Sequence, residues 1–199
     1  SQAQGMYREL VRDSFISLKD GEVSAANVLT RLLRLSQLTG GFLREDGSER
    51  PIQVSDAKLA ALADIVDSAA QDGKKLVIIA RFLPELNAIT QMLEKKAIGY
   101  SLISGEIRDR DEQVRRFQTD PEVAVFVGQI ATAGMGITLT AADTMVFYSL
   151  DYSMSNFEQA KARIHRVGQR NPCTYLYLVA AGTVDEKVLQ ALRDKADLA

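Results

Sequence analysis

The chain has 199 residues, 46% of them hydrophobic and 25% charged, with a formal net charge of -2. That is enough for one domain with a real core, or one domain plus a small appendage. No apolar run approaches the length needed to cross a bilayer, and SQAQGMYREL lacks the apolar stretch of a secretory leader. A single cysteine, Cys173, excludes an internal disulfide and a cysteine-cluster zinc site. The charge balance speaks against a generic basic coat for nucleic acid but leaves room for a local basic face. With no leader and one cysteine an intracellular protein is expected. The Ser-Gln start without Met, helix-like at once, suggests a fragment of a longer protein or, more plainly, an intact protein that lost its first residues.

Two helical segments come first. Ala3–Leu18 carries Met6, Leu10 and Ser14 at spacing four with Tyr7, Val11 and Phe15 beside them. Asp20-Gly21 breaks the pattern, and Ser24 can cap a second helix that runs to about Thr39. Gly40-Gly41 ends it, REDGSERP is a polar turn, and Pro51 marks a boundary. The expected organisation is a helical lead-in over 1–50 and a main domain over 51–199.

From there helix and strand alternate. Ala57–Gln71 is a helix with Leu59, Leu62, Ala63, Val66 and Ala70 on one face. KLVIIARF is a continuous apolar strand of the kind buried on both sides. Pro84–Lys96 is a helix, YSLIS a strand, Arg108–Gln118 a helix, VAVFV and Thr144–Ser149 strands, Asn156–Val167 a helix, TYLYLVA a strand and Thr183–Lys195 the last helix. The pattern predicts an α/β fold, a parallel sheet covered by helices on both faces. Ligands in such sheets sit beyond the carboxyl ends of the strands.

Three segments fall there. In QAKARIHRVGQ, a helix would place Gln159, Arg163 and Arg166 on one side and Phe157, Ala160, Ile164 and Val167 on another, with Gly168 ending it. Two guanidiniums held this way suit a polyphosphate; equally, they suit a solvated basic helix face. GQIATAGMGITLTAAD follows the strand VAVFV and is mostly small or hydroxyl-bearing. Thr132, Gly134 and Gly136 could turn backbone N–H groups to an anion, or simply form a tight turn. YSLISGEIRDRDEQVRRFQ puts Gly105 at a strand end before a charged helix, either an ordinary connection or a hold on nucleic-acid backbone. Arg115 and Arg116 are read as solvent-facing.

Other positions argue against alternatives. Asp72-Gly73-Lys74-Lys75 lacks the first glycine and the hydroxyl of a phosphate loop. No acidic pair follows a strand, His165 has no ligating neighbour, and no metal site is expected. Asp151 at a strand end reads as a turn cap, and Cys173 as a small buried hydrophobe. ARFLPEL offers no glycine-rich turn for a dinucleotide.

Taken in order, the segments from Leu59 onward, about three quarters of the chain, resemble the C-terminal RecA-like motor domain of superfamily-two helicases, of the Swi/Snf DNA-translocase type. KLVIIARF is similar to the fourth helicase motif, YSLISG with Arg110 to the segment after it, and GQIATAG…RIHRVGQ to the fifth and sixth motifs. LLRLSQLTGGFL resembles the helical bridge between two motor domains. The resemblance implies ATP and Mg²⁺ held mainly by an N-terminal RecA-like domain of the same polypeptide, and double-stranded DNA as partner. It implies Arg163 and Arg166 as arginine fingers, with Gln159 positioning the phosphate or the attacking water. Gly134, Gly136 and Asp151 would line the nucleotide cleft, and Arg81, Gly105, Arg110 and Thr132 the DNA side. By itself the chain is expected to be inactive. An RNA helicase half or a degenerate binding module are the alternatives. Asp151-Tyr152-Ser153-Met154-Ser155 lacks the tryptophans and prolines frequent in the family, and the chain has no Trp. That suggests a bacterial or phage cytoplasmic enzyme, or a fork-remodelling relative, over a chromatin remodeller.

Overall fold

The structure is a computed structural model that describes residues 2–19, 25–43, 50–105 and 109–197. Helices α1 (Gln2–Lys19) and α2 (Ala25–Thr39) precede a two-residue antiparallel pairing of β1 (Phe42–Leu43) with β2 (Ile52–Gln53). The expected breaker Asp20-Gly21, the cap Ser24 and most of REDGSERP lie outside the described residues. Helix α3 (Ala57–Gln71) has the expected bounds. It buries Leu62 and Val66, whereas Ala70 is exposed.

Strand β3 (Leu76–Ala80) is buried at all five residues, as its unbroken apolar run requires of a strand covered on both faces. It is followed by α4 (Leu83–Lys95), β4 (Gly99–Ile103), α5 (Arg110–Thr119) and β5 (Val123–Gln129). A 3₁₀ turn over Ile130–Met135, β6 (Thr144–Phe147), α6 (Met154–Lys161), β7 (Thr174–Tyr177) and α7 (Val184–Asp197) complete the chain. The five strands pair in parallel in the order β4-β5-β3-β6-β7.

Two apolar layers cover the sheet. On one face Leu62, Val66, Leu86, Ile89 and Leu93 from α3 and α4 meet Leu76, Ile78, Val125 and Val146. On the other, Phe117, Phe157, Ile164, Val188 and Leu192 meet Val77, Phe126 and Phe147. Phe147 stacks on Tyr177 with centroids 5.4 Å apart. Leu35 of α2 belongs to this second layer, and Tyr7, Leu10 and Val11 of α1 pack against it. Lys75 ends the stretch Asp72–Lys75, which is excluded as a phosphate loop. Its Nζ donates to the carbonyls of Phe117 and Asp120, each at 2.6 Å, and so closes the end of α5. At the border of the sheet, the Leu102 N–H of β4 donates to Oε1 of Gln113 on α5, 3.1 Å away.

The chain leaves β3 for β4 and β5 on one side and takes β6 and β7 on the other, so the carboxyl ends of β3 and β6 form the point where strand order reverses. A carboxyl group is buried there. Oε2 of Glu85 accepts from the N–H groups of Arg81 (3.2 Å) and Phe82 (3.1 Å) and from the Ser149 hydroxyl. Its Oε1 is fully buried, with no hydrogen-bond partner among the described residues, and it faces Gly40 at the end of α2.

Burial raises the Glu85 pKa, against the hydrogen bonds from Ser149, Phe82 and Arg81 and the charge of Lys58. A folded-state pKa above the unfolded one means that the native state holds the proton more tightly. The stabilisation is therefore complete below the ordinary carboxylate value and is lost as pH rises through the raised one. Measured by urea unfolding across that window, the wild-type chain is expected to lose stability with rising pH relative to Glu85→Gln. A pH-independent difference would show that Glu85 does not titrate in the fold.

Candidate functional site

The site is built from the ends of α6, β5 and β3. Ser153 caps α6 by accepting from the Asn156 N–H at 3.2 Å. Asp151 sets this turn: Oδ1 accepts from the Ser153 N–H (3.0 Å) and Oδ2 from the Asn156 carboxamide (3.0 Å). Both carboxylate oxygens are thus engaged in the cap, in keeping with the reading of a turn residue.

Helix α6 stops at Lys161, six residues before the expected Val167, and 162–168 are turns and bends. A continuing helix would bond the Arg163 and Ile164 carbonyls to the amides four residues on. Instead the Leu139 N–H takes the Arg163 carbonyl at 2.9 Å, and Nε2 of Gln169 takes that of Ile164 at 3.1 Å. Phe157, Ala160 and Ile164 are buried as expected. Val167, expected to pack beside them, is fully exposed, because the chain has left the helical path. Gly168 has φ 103° and lies in this turn region.

Arg163 and Arg166 therefore sit on a turn and not on a helix face. Arg163 is half-buried, and its Nε donates to the Gln159 carbonyl at 2.8 Å. Arg166 is exposed; its Nη1 donates to the carbonyls of Gly136 (2.7 Å) and Ile137 (3.2 Å). Neither is paired with a carboxylate among the described residues, and there Nη1 and Nη2 of Arg163 and Nε and Nη2 of Arg166 have no partner. Burial lowers the Arg163 pKa, and the charge of Arg166 lowers it further. Two like charges close enough to feel each other, held by carbonyls and not by acids, make a place where an anion is favoured. Gln159 contributes its carbonyl to Arg163, while its carboxamide donates to Ser155 Oγ at 3.0 Å.

The small-residue stretch forms the opposite wall. Gly134 lies within the 3₁₀ turn, and Gly136 closes it with φ 70°. A Cβ on Gly136 would meet nothing within 4 Å, so backbone conformation, not space, favours glycine there. Thr132 donates its hydroxyl to the Gln129 carbonyl at 2.6 Å.

Of the remaining predicted residues, Arg81 and Gly105 meet at Gln129. Its Nε2 donates to the Arg81 carbonyl (3.2 Å), and its Oε1 accepts from the Gly105 N–H (3.3 Å). One side chain thus links the ends of β3, β4 and β5. Arg81 is half-buried, with its guanidinium carbon 5.0 Å from the Phe82 ring centroid, and it borders two cavities of about 460 and 300 Å³. Arg110 is exposed at the first turn of α5. Arg115 is exposed and pairs with Glu112 at 2.6 Å. Cys173, expected to be buried, is half-buried beside the core, and burial raises its thiol pKa. Gln129 and the five bonds of Gln169 were not anticipated, since a glutamine at a strand end or loop has no spacing signature.

The helicase conserved C-terminal domain family matches residues 57–168. The chromatin-remodeling ATPase INO80 of Cryptococcus neoformans var. neoformans is 32% identical over 187 residues, covering 87% of this chain and 11% of that protein. The INO80 of Homo sapiens is 30% identical over 159 residues, covering 79% and 10%. The chain thus spans about a tenth of the length of the curated relatives it matches. Among solved structures, the Sulfolobus solfataricus SWI2/SNF2 ATPase core in complex with dsDNA superposes with a TM-score of 0.77 at 27% identity, covering 99% of this chain and 42% of that one. The expected bacterial or phage cytoplasm is corrected by these relatives. The relatives include chromatin-remodeling ATPases of a fungus, mouse and human, eukaryotic proteins rather than bacterial or phage ones. Loop composition and the lack of tryptophan do not track compartment. With the parallel sheet, the arginine turn and the matched residues together, the chain belongs to the helicase conserved C-terminal domain family, in its Swi2/Snf2 branch.

Proposed function

We propose that this domain is the C-terminal motor half of an ATP-driven duplex-DNA translocase. The observation that carries the proposal is the pair Arg163 and Arg166, free of carboxylate partners among the described residues and anchored by backbone carbonyls, with N–H groups left over there. Arginine keeps its proton and forks onto phosphate oxygens. Such a pair suits the terminal phosphates of ATP bound by a second, N-terminal motor half. Gln159 holds Arg163 through its carbonyl, and Gly134 and Gly136 border the cleft. Asp151 acts there by fixing the turn ahead of α6. Mg²⁺ would be held by the N-terminal half, as the family resemblance implies, and would neutralise phosphate charge there.

Arg81, Gly105, Arg110 and Thr132 form the DNA side, contacting backbone without reading sequence. Gln129 joins Arg81 and Gly105 through its side chain and Thr132 through its carbonyl, so movement at the 3₁₀ turn is felt at both walls. The lead-in over 1–50 acts as the bridge from the N-terminal half, and a DNA complex of a structural relative supports duplex DNA as the track.

The test compares hydrolysis by the full-length protein and by the 199-residue chain, each with duplex DNA, RNA or neither. Stimulation of the full-length protein by duplex DNA, with the isolated chain at background, is expected. Preferential stimulation by RNA would make it an RNA helicase half, and no hydrolysis under any condition a binding module. Turnover by the isolated chain would put the nucleotide site elsewhere.

A further inference from the structure

Among the groups around the arginine turn, Gln169 makes more contacts than its exposure would suggest. Its Nε2 donates to the carbonyls of Ala142 (2.7 Å) and Ile164 (3.1 Å) and lies 3.5 Å from that of Thr140. Its Oε1 accepts from the N–H groups of Arg170 (3.0 Å) and Asn171 (3.1 Å). One carboxamide therefore closes the turn that carries Arg163 and Arg166 and staples it to the far end of the small-residue stretch. Two further bonds join the same segments. The Leu139 N–H meets the Arg163 carbonyl at 2.9 Å, and Arg166 Nη1 meets Gly136 and Ile137. Of these three tie points, only Gln169 belongs to a side chain with no charge to offer a phosphate. Gln118 on α5 supports the same stretch from the other side, accepting from the Ala141 N–H at 2.9 Å.

We propose that Gln169 is a positioning residue for phosphoryl transfer. It fixes the arginine turn against residues 140–142, so that a displacement of that stretch is passed to the two guanidiniums and not absorbed by a loose loop. The inference rests on the functional reading above and deepens it. Fixing a donor within a fraction of an ångström is worth far more to a transition state than to ground-state binding. Loss of the staple therefore acts on kcat and leaves affinities alone.

Two variants separate this from a general stabilising role. Gln169→Met keeps the length and removes every hydrogen bond. Gln169→Glu keeps the acceptor but sets a carboxylate against the Ala142 and Ile164 carbonyls, and regains a donor only when protonated. In the full-length protein with saturating duplex DNA, Gln169→Met is expected to lower kcat by roughly 10- to 100-fold with KM for ATP and Kd for DNA within about threefold. The ratio of Gln169→Glu to wild-type kcat should rise as pH falls through the carboxylate range, whereas that of Gln169→Met stays flat. Unchanged kcat in both variants, or a proportional loss of kcat and both affinities, would overturn the proposal.

A second measurement stands apart from the ATPase reading. In the 199-residue chain, Gln169→Met should speed amide hydrogen exchange about tenfold or more in 136–142 and 162–168 while leaving β3 and β5 unchanged. If the full-length wild type shows no DNA-stimulated hydrolysis but exchange rises as stated, the staple stands and the functional reading fails. If hydrolysis is stimulated but exchange and kcat do not respond, the inference fails alone.

Discussion

Arg166→Ala is expected to lower DNA-stimulated ATP hydrolysis by the full-length protein about 10³- to 10⁵-fold, the range found for arginine fingers in related phosphoryl transfers. ATP affinity should change little, because the guanidinium counts most where charge develops in the transition state. Nη1 of Arg166 is spent on the carbonyls of Gly136 and Ile137, which leaves Nε and Nη2 for phosphate. Arg166→Lys should recover little of the loss, since one ammonium cannot hold the carbonyls and meet a phosphate as a planar fork does. Single-turnover kinetics with a separate ATP titration reads both quantities. A variant with wild-type turnover would remove Arg166 from the chemistry.

The second large effect is on stability. A Cβ on Gly40 would lie 2.0 Å from Oε1 and 3.0 Å from Cδ of Glu85. The carboxyl cannot swing aside freely, because its other oxygen holds Arg81, Phe82 and Ser149. Gly40→Ala should therefore destabilise the chain by about 3 kcal/mol, the upper end for overpacking. For a domain of this size that lowers Tm by roughly 6–12 °C. In a Glu85→Ala background the same substitution should cost less than about 1 kcal/mol, since only the Gln37 carbonyl, 3.3 Å from the added Cβ, stays close. An equal cost in both backgrounds, read by thermal and urea unfolding, would refute the contact.

The sheet and most helices were legible because their patterns report burial directly. Leu76–Ala80 is unbroken and apolar, and Leu62 and Val66 recur at helical spacing. The site was legible in residue type and less so in shape. Arg166 meets the Gly136 carbonyl and Arg163 the Leu139 amide, but neither lies along a helix, because Leu139 and the Gln169 side chain take the Arg163 and Ile164 carbonyls. No periodicity encodes a bond between residues 139 and 163. Gln129 was equally silent: its role depends on the spatial order of β3, β4 and β5, not on their order in the chain. The compartment was misjudged from Asp151–Ser155, a stretch whose work is to start α6 and which carries no record of where the protein resides.

The bond from the Leu102 amide to Gln113 has a consequence for handling the domain. A border strand with open amides is a template on which neighbouring molecules can add, and this one has an amide already capped from within. Concentrated solutions should accordingly resist fibrous self-association along that rim.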